Sequence, residues 1–144
     1  MAKMVERDLF RRPTFNVVKA QKKAMQDSIK KSGLSREQVV DLMNDLAGLF
    51  GISLSSGNDK KLTRVTLDKW LNVTETDRQI PTRALPVFCA ATDCNHAIDI
   101  LAQAIGCKVI DGKQRKMLEW AELYHRVERD KKKMLQIEDC FDED

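Results

Sequence analysis

The chain has few of the residues on which β-rich folds depend. Aromatic residues make up 6% of its 144 residues, and there are only six glycines and three prolines. A β-sandwich needs more aromatic and β-branched residues in its strands and more turn residues between them. The composition therefore favours an all-α protein, whose 42% hydrophobic residues suffice for a modest core.

Long apolar segments are also missing. No hydrophobic run approaches the roughly 18 residues of a membrane-spanning helix. The N-terminal stretch MAKMVERDLFRRPTF carries early charges with no apolar segment behind them, so we do not expect a secretory signal. From these features we expect a cytoplasmic protein with no membrane partner.

Patterns of metal binding and catalysis are scarce. His96 and His125 take part in no Ser/His/Asp order and no HExxH motif, and a phosphate-binding loop is missing. The spacing Cys89-x4-Cys94-x-His96 is not one that zinc sites use. None of the four cysteines belongs to a CxxC pair; they are Cys89, Cys94, Cys107 and Cys140. We expect free thiols, no metal, no cofactor, no small-molecule substrate and no enzymatic activity.

Charge is unevenly distributed behind a net charge of +3. The stretch from Lys3 to Arg36 has ten basic residues against three acidic ones, whereas the last seven residues carry five acids. A basic front and an acidic end suit a nucleic-acid-binding protein. An ordinary charged helix surface is the alternative interpretation.

Two amphipathic helices are predicted in the first third of the chain. The first runs from about Pro13 to Lys31 and ends at Gly33, with inward residues Phe15, Val18, Ala24, Met25 and Ile29. Five lysines lie between these positions: Lys19, Lys22, Lys23, Lys30 and Lys31. The second helix starts with the capping-box pattern SREQ at Ser35. Its predicted inward face consists of Val39, Leu42, Met43, Leu46, Ala47 and Phe50.

The stretch LTRVTLDKWLN predicts a short helix with two different faces. Thr63 is a suitable N-cap, because its hydroxyl can accept a hydrogen bond from an amide of the first turn. One face carries Leu67, Trp70 and Leu71, and the opposite face carries Arg64, Val65, Asp68 and Lys69. Such a helix can pack on a scaffold while its outer N-terminal side chains reach base edges in a major groove.

The preceding segment, GISLSSGNDKK, is longer than the turn of about 3–4 residues in a minimal helix-turn-helix unit. Its composition predicts a loop, in which ISL either pairs briefly as a strand or covers the core. Further along, a helix is predicted to begin at Ile80-Pro81 or at Pro86, with inward residues Leu85, Phe88, Cys89 and Thr92. Asn95 or Asp93 then caps a helix whose inward stripe is Ile98, Leu101, Ala102 and Ile105, before Gly106 and a possible short strand, CKVI.

A long C-terminal helix is predicted from about residue 111. Its apolar residues recur at alternating steps of three and four, which is typical of a coiled-coil seam about three heptads long. The seam residues are Met117, Trp120, Tyr124, Val127 and Met134, interrupted by Lys131. The seam is a candidate for homodimerisation, and folding back onto the rest of the protein is the alternative.

These segments together resemble small helix-turn-helix proteins encoded by phages and prophages, notably Mu-like ones, of the Cro/repressor-like class. The matching stretches lie in order from Ala24 to Leu135, and LDKW and LPVFCAATD are the most specific of them. The resemblance implies a compact helical DNA-binding domain and a phage regulatory setting. The longer segment GISLSSGNDKK departs from the pattern, since the two helices of these relatives are joined more tightly.

The sequence therefore predicts an all-α protein with a compact five-helix, repressor-like helix-turn-helix domain followed by a long C-terminal helix. The predicted divisions are a flexible N-terminus (1–13), the domain (14–110), the C-terminal helix (111–137) and an acidic tail (138–144). We expect a sequence-specific duplex DNA-binding protein that regulates transcription. Its DNA-contacting residues would be Ser35, Arg36, Lys60, Lys61, Thr63, Arg64, Val65, Asp68 and Lys69. The alternative is a protein-interaction adaptor that keeps the fold without binding DNA.

Overall fold

The computed structural model describes residues 15–56 and 61–142, and within these ranges all regular structure is helical. The chain divides into two compact units, Met1–Val109 and Ile110–Asp144. The helices are α1 (Val18–Ser32), α2 (Arg36–Phe50), α3 (Arg64–Leu71), α4 (Leu85–Thr92), α5 (His96–Gln103) and α6 (Gly112–Asp142). The all-α prediction is confirmed. Among the described helices, none combines the length and apolar content needed to cross a membrane.

The core of the first unit forms where five helices meet. Helix α1 packs against α3, α4 and α5, whereas α2 packs against α3 and α4. Helix α3 therefore lies against both α1 and α2, the two longest helices of the first unit. The side chains at the centre are almost completely buried; they include Met25, Val39, Met43, Leu67, Leu71, Phe88 and Ala97.

Helix α1 begins later than its apolar spacing predicted. Phe15 was expected to point inward, but it precedes the helix and is 73% exposed, so this prediction is wrong. Pro13, the predicted first residue, lies outside the described residues. The expected glycine stop is confirmed. Gly33 has φ 72°, a left-handed conformation that glycine adopts without steric cost, and its N–H donates to the carbonyl of Lys30.

Helix α2 has the predicted capping box but a narrower buried face. The Gln38 N–H donates to the Ser35 hydroxyl at 3.2 Å, and the Ser35 N–H donates to the Gln38 side-chain carbonyl at 2.9 Å. Val39, Val40, Met43 and Ala47 are buried. Leu42 and Phe50, predicted to be inward, are exposed instead, with Phe50 74% accessible. Only one narrow stripe of this helix is therefore buried in the core.

The segment after α2 covers the core and contains no strand among its described residues. Leu54 is 1% exposed and Ile52 packs at the edge of the core. The Arg83 guanidinium donates to the carbonyl of Ser53 at 2.7 Å, which fixes this part of the segment to the start of α4. Of the two alternatives for ISL, covering the core is confirmed.

Helix α4 starts at Leu85 with Pro86 in its first turn, where proline needs no hydrogen-bonded N–H. The later of the two predicted starts is thus confirmed. Asp93 ends the helix with φ 50° rather than capping the next one. Leu85, Phe88 and Thr92 are buried as predicted, and Val87 joins them. Cys89 is only half-buried, and burial raises the pKa of its thiol.

Helix α5 follows Asn95, and its predicted inward residues Ile98 and Leu101 pack, partly buried, against the core. Ala97 and Asp99 are buried, whereas Ile105 lies beyond the end of the helix and is exposed. The Asp99 carboxylate accepts hydrogen bonds from the Val109 N–H at 2.8 Å and from the Gln103 amide at 2.7 Å. The Val109 hydrogen bond lowers the pKa of Asp99 more than burial raises it. The CKVI segment is held by this contact and forms no strand.

Helix α6 forms the described part of the second unit. It continues to Asp142, so Glu138, Asp139 and Asp142 are helical rather than part of a separate tail from residue 138. Glu143 and Asp144 lie outside the described residues, as do residues 1–13 of the predicted N-terminal segment. Between Gly112 and Asp142 no residue is buried.

Candidate nucleic-acid interface

Helix α3 has the cap and the two faces that its sequence predicts. The Thr63 hydroxyl accepts a hydrogen bond from the Thr66 N–H at 3.3 Å, which satisfies an amide of the first turn. Leu67, Trp70 and Leu71 are buried against the core. Val65, on the opposite face, is 62% exposed. The packing of this helix thus leaves its N-terminal outer face open to solvent.

Ionic contacts join the N-terminal turns of α2 and α3. The Asp68 carboxylate accepts from the Arg36 guanidinium at 2.7 Å and from the Arg64 guanidinium at 3.1 Å. Arg64 also pairs with Glu37. We call these four residues the arginine–carboxylate cluster. It contains two positive and two negative side chains and is formally neutral, so it orients both arginines but offsets their charge.

The charge state of Asp68 is set by these contacts. Partial burial acts to raise the pKa of Asp68, but hydrogen bonds from Arg36 and Arg64 outweigh it and hold the pKa below its ordinary value. The carboxylate is therefore ionised at neutral pH. A negative side chain on the exposed face of α3 repels the phosphates of DNA. Towards the bases it can act as an acceptor, for example for the cytosine amino group.

The C-terminal end of α3 is held by a buried lysine of α1. The Lys22 ammonium donates to the carbonyls of Lys69 and Trp70, each at 3.0 Å, and to the carbonyl of Arg78. The last carbonyls of a helix have no partner within it and carry partial negative charge, so an ammonium group there is favourable. One side chain therefore joins α1, the end of α3 and the segment that follows.

A second side chain of α1 extends this contact. The Gln26 amide donates to the carbonyl of Leu71 at 2.7 Å. Burial lowers the pKa of Lys22, and the Glu75 carboxylate offsets part of that effect. Three successive carbonyls at the end of α3, those of residues 69–71, thus receive hydrogen bonds from α1. The angle of α3 against the core is fixed at this end.

The other end of α3 is positioned by Asn44 of α2. Its amide group donates to the carbonyl of Leu62 at 2.9 Å, and its side-chain oxygen accepts from the Leu62 N–H at 2.8 Å. Leu62 itself is buried. This pair of hydrogen bonds fixes the backbone immediately before the Thr63 cap. The sequence did not predict that Asn44 and Lys22 position α3.

The residues predicted to contact DNA are brought together only in part. Ser35 and Thr63 are both helix caps, and the cluster brings the first turns of their helices side by side. Lys61 is exposed just before α3, and Lys69 is half-buried in its last turn. Lys60 lies outside the described residues. The basic residues do not form an unbroken strip, because Glu37 and Asp68 stand among them.

The residues predicted for dimerisation all lie exposed on α6. Trp120 and Tyr124 stack, with ring centroids 5.4 Å apart and ring planes at 19°. His125 meets the Tyr124 ring edge-on at 6.0 Å. These aromatic contacts lie within one helix and leave the outer faces of the rings open.

The described residues were also compared with the arrangements that metal sites and reactive thiols require. Within residues 15–56 and 61–142, no group of three or more His, Cys, Asp or Glu side chains is arranged to hold a metal ion. The four cysteines are free thiols, of which Cys89 and Cys94 are half-buried. A shallow depression between the ends of α1 and α4 is lined by Lys31, Thr92 and Cys94, among others.

Comparisons of the chain with known protein families, with curated proteins and with solved structures found no match.

Proposed function

We propose that the protein binds duplex DNA sequence-specifically as a helix-turn-helix transcriptional regulator of the repressor-like class found in phages and prophages. The observation that carries the proposal is the way α3 is held. Its apolar face is buried, both ends are hydrogen-bonded to neighbouring helices, and its outer N-terminal residues are exposed beside the first turn of α2. A helix that enters a major groove requires this combination of rigid support and exposed donors.

Each of the predicted contact residues that the structure describes then has a proposed role. Arg64 and Lys69 provide donors for base edges, and Val65 provides an apolar contact for a thymine methyl group. Ser35 and Thr63 bring the amide-rich first turns of α2 and α3 towards phosphates, with Arg36 and Lys61 beside them. Asp68 holds Arg36 and Arg64 in place in the unbound protein and can accept a hydrogen bond from cytosine.

The test is a selection of bound duplexes from a random library, followed by titrations of the selected sequence at several salt concentrations. Arg64→Ala should weaken binding to the selected sequence by about 1–3 kcal/mol and relax its preference. Lys61→Ala should weaken all sequences alike and reduce the salt slope by about one. Lys30→Ala, an exposed lysine at the end of α1, serves as the matched control. Absence of salt-dependent binding to any duplex would remove the proposal.

A second function is favoured by one observation, the neutral arginine–carboxylate cluster beside the exposed Val65. This combination suits a protein-interaction adaptor, because a surface without net charge that carries an apolar residue attracts a protein more than a polyanion. Under this alternative, the wild type shows no salt-dependent DNA binding. A protein partner identified by mass spectrometry would then bind the wild type and the Lys30→Ala variant but not Val65→Asp.

A further inference from the structure

Helix α6 carries an apolar seam along most of its length. Because the helix continues to Asp142, the alternating steps of three and four extend beyond Met134 to Glu138 and Phe141. The α6 seam consists of Met117, Trp120, Tyr124, Val127, Lys131, Met134, Glu138 and Phe141. Its six apolar members are between 50% and 75% exposed. A seam of this spacing packs knobs-into-holes against a second helix.

We propose that α6 pairs with α6 of a second copy of this chain in antiparallel orientation. The charges within the seam favour this orientation over the parallel one. In a parallel in-register pair every seam residue meets its own counterpart. Lys131 would then face the partner's Lys131, and Glu138 would face the partner's Glu138. Two pairs of like charges inside an apolar seam disfavour that arrangement.

Antiparallel pairing with full overlap separates these charges and matches the remaining layers. Met117 lies opposite the partner's Phe141, and Tyr124 lies opposite the partner's Met134. Each of these layers sets a thioether against an aromatic ring, which is a favourable contact. Symmetry gives each layer twice, so four of the eight layers are of this kind.

The two charged residues also find suitable neighbours in this register. Trp120 lies opposite the partner's Glu138, where the indole N–H is a donor for the carboxylate. Lys131 lies opposite the partner's Val127, so its aliphatic stem packs in the seam while its ammonium reaches the edge. The ammonium of Lys131 already leans towards Glu128 of its own helix, with an Nζ–Oε1 distance of 3.6 Å.

Residues beside the seam widen the apolar contact in the same register. Leu123 approaches the partner's Ile137, and Ala121 approaches the partner's Leu135. Leu123, Leu135 and Ile137 are exposed on α6. In a parallel pair, by contrast, Leu123 would lie across from the partner's Glu128, and Ile137 across from the partner's Asp142. The antiparallel register also sets Glu128 against the partner's Glu128 and Asp130 against the partner's Asp130, beside the two Lys131 ammonium groups. The flanking apolar residues therefore favour antiparallel pairing, whereas these central acidic residues oppose it.

Antiparallel pairing determines where the two first units are attached. Each joins its α6 at Ile110, so the two attachment points lie at opposite ends of the helix pair. In this register the first residues of the two helices, Gly112 of each copy, lie about 50 Å apart along the axis. The proposal concerns assembly alone and does not depend on DNA binding, and every measurement below is made on the full chain without DNA.

The orientation can be tested by disulfide exchange in a background in which the four native cysteines are replaced by alanine. Met117→Cys and Phe141→Cys variants are mixed in a glutathione buffer, where glutathione disulfide is the oxidant, and the products are weighed by mass spectrometry. Antiparallel pairing predicts that the mixed disulfide, which joins one copy of each variant, exceeds its share in a random mixture. Predominance of the two homodisulfides would overturn the proposal in favour of parallel pairing.

A distance measurement gives independent evidence. With Cys140 kept as the sole cysteine and spin-labelled, antiparallel pairing places the two labelled positions about 33 Å apart along the axis. Parallel pairing would bring them within roughly 20 Å, the width of two helices. A short distance would contradict the proposed orientation.

Sedimentation equilibrium tests the pairing itself. The wild type should have the mass of a dimer, and Val127→Glu should be monomeric because it places a charge in the seam. Leu118→Glu makes the same chemical change at an exposed residue outside the seam and should remain dimeric. Circular dichroism at high protein concentration checks that both variants stay folded. A monomeric wild type, or equal behaviour of the two variants, would rule out the proposal.

Discussion

Lys22 of α1 donates a 3.0 Å hydrogen bond to the carbonyl of Trp70, the second-last residue of α3. The indole of Trp70 is buried in the core while its carbonyl receives the ammonium group. The orientation of α3 therefore depends on a polar contact as well as on apolar packing. Lys22 acts as a positioning residue for the exposed face of α3, although it is itself almost completely buried.

Replacing Lys22 with methionine keeps most of the side-chain volume and removes the donor. The variant leaves carbonyls at the end of α3 without their partner, so unfolding should cost about 1–3 kcal/mol less than in the wild type. Urea denaturation measures this change. Lys23→Met alters the exposed neighbour on the same helix and should stay within about 0.5 kcal/mol of the wild type. Equal effects of the two substitutions would contradict the role assigned to Lys22.

Asp68→Asn measures separately how the arginine–carboxylate cluster affects stability and how it affects DNA binding. The contacts are partly exposed to solvent, so the free energy of unfolding should fall by less than about 1 kcal/mol. If the protein binds DNA, losing one negative charge beside Arg36 and Arg64 should tighten binding at low salt and steepen the salt slope by about one. Salt-dependent titrations measure this. Asp45→Asn, the same change in the third turn of α2, should have a smaller effect.

The low pKa of Asp99 predicts a pH dependence of stability. A carboxylate whose pKa is lower in the folded than in the unfolded protein stabilises the fold above the unfolded value of about 3.9. That contribution disappears as the pH falls below 4 through the folded pKa. Asp99→Asn lacks this titration, so the stability difference from the wild type should be largest at neutral pH and shrink below pH 4. Thermal unfolding at pH 7, 5, 4 and 3 measures the difference in stability. A difference that stays constant over these pH values would contradict the stabilising role of the ionised Asp99 carboxylate.

The exposed and buried faces of α2 can be compared directly. Phe50→Ser should change the free energy of unfolding by less than about 0.5 kcal/mol, because the side chain is in solvent at the helix end. Met43→Ala should lower it by about 2–5 kcal/mol, since it leaves a cavity in the core. Chemical denaturation of both variants tests the assignment. A large loss from Phe50→Ser would show that the residue has a packing partner.

The features that were predicted correctly depend on residues close together in the sequence. The capping box needs only Ser35 and Gln38, and the cap of α3 needs only Thr63 and the amide of Thr66. Gly33 ends α1 because its own φ angle suits that position. The buried face of α3 was predictable because a short helix has only one apolar stripe.

The features that were missed depend on distant partners. Lys22 lies three and seven residues before Met25 and Ile29, a spacing that suits the buried face, but it was predicted to lie between the inward residues with the other lysines of α1. Lysine is almost never fully buried without partners. The acceptors of Lys22 are backbone carbonyls some 47 or more residues away, and carbonyls leave no mark in a sequence. The pairing of Arg36 with Asp68, 32 residues apart, was equally hidden. Asp68 was predicted on the same exposed face as Arg64, but its pairing with Arg36, and the pairing of Arg64 with Glu37, were not predicted.

The exposed apolar residues were also mispredicted because their environment depends on distant parts of the chain. Phe15, Leu42 and Phe50 fit a helical stripe, but how wide a stripe the core covers is decided by the helices packed against it. Periodicity gives the direction of the buried face and not its width. For α1 and α2 that width depends on α3, α4 and α5, whose placement no local pattern contains.

The connection between α2 and α3 is held at two fixed points, by the burial of Leu54 and by the Asn44 hydrogen bonds to Leu62. A change in chain length between these two points is therefore uncoupled from the angle at which α3 meets α2. The entropy of closing a loop rises by only about 0.6 kcal/mol for each doubling of its length. This interval is thus suited to accept an inserted epitope or fluorophore-binding tag, and evolution could lengthen it there without rebuilding the domain.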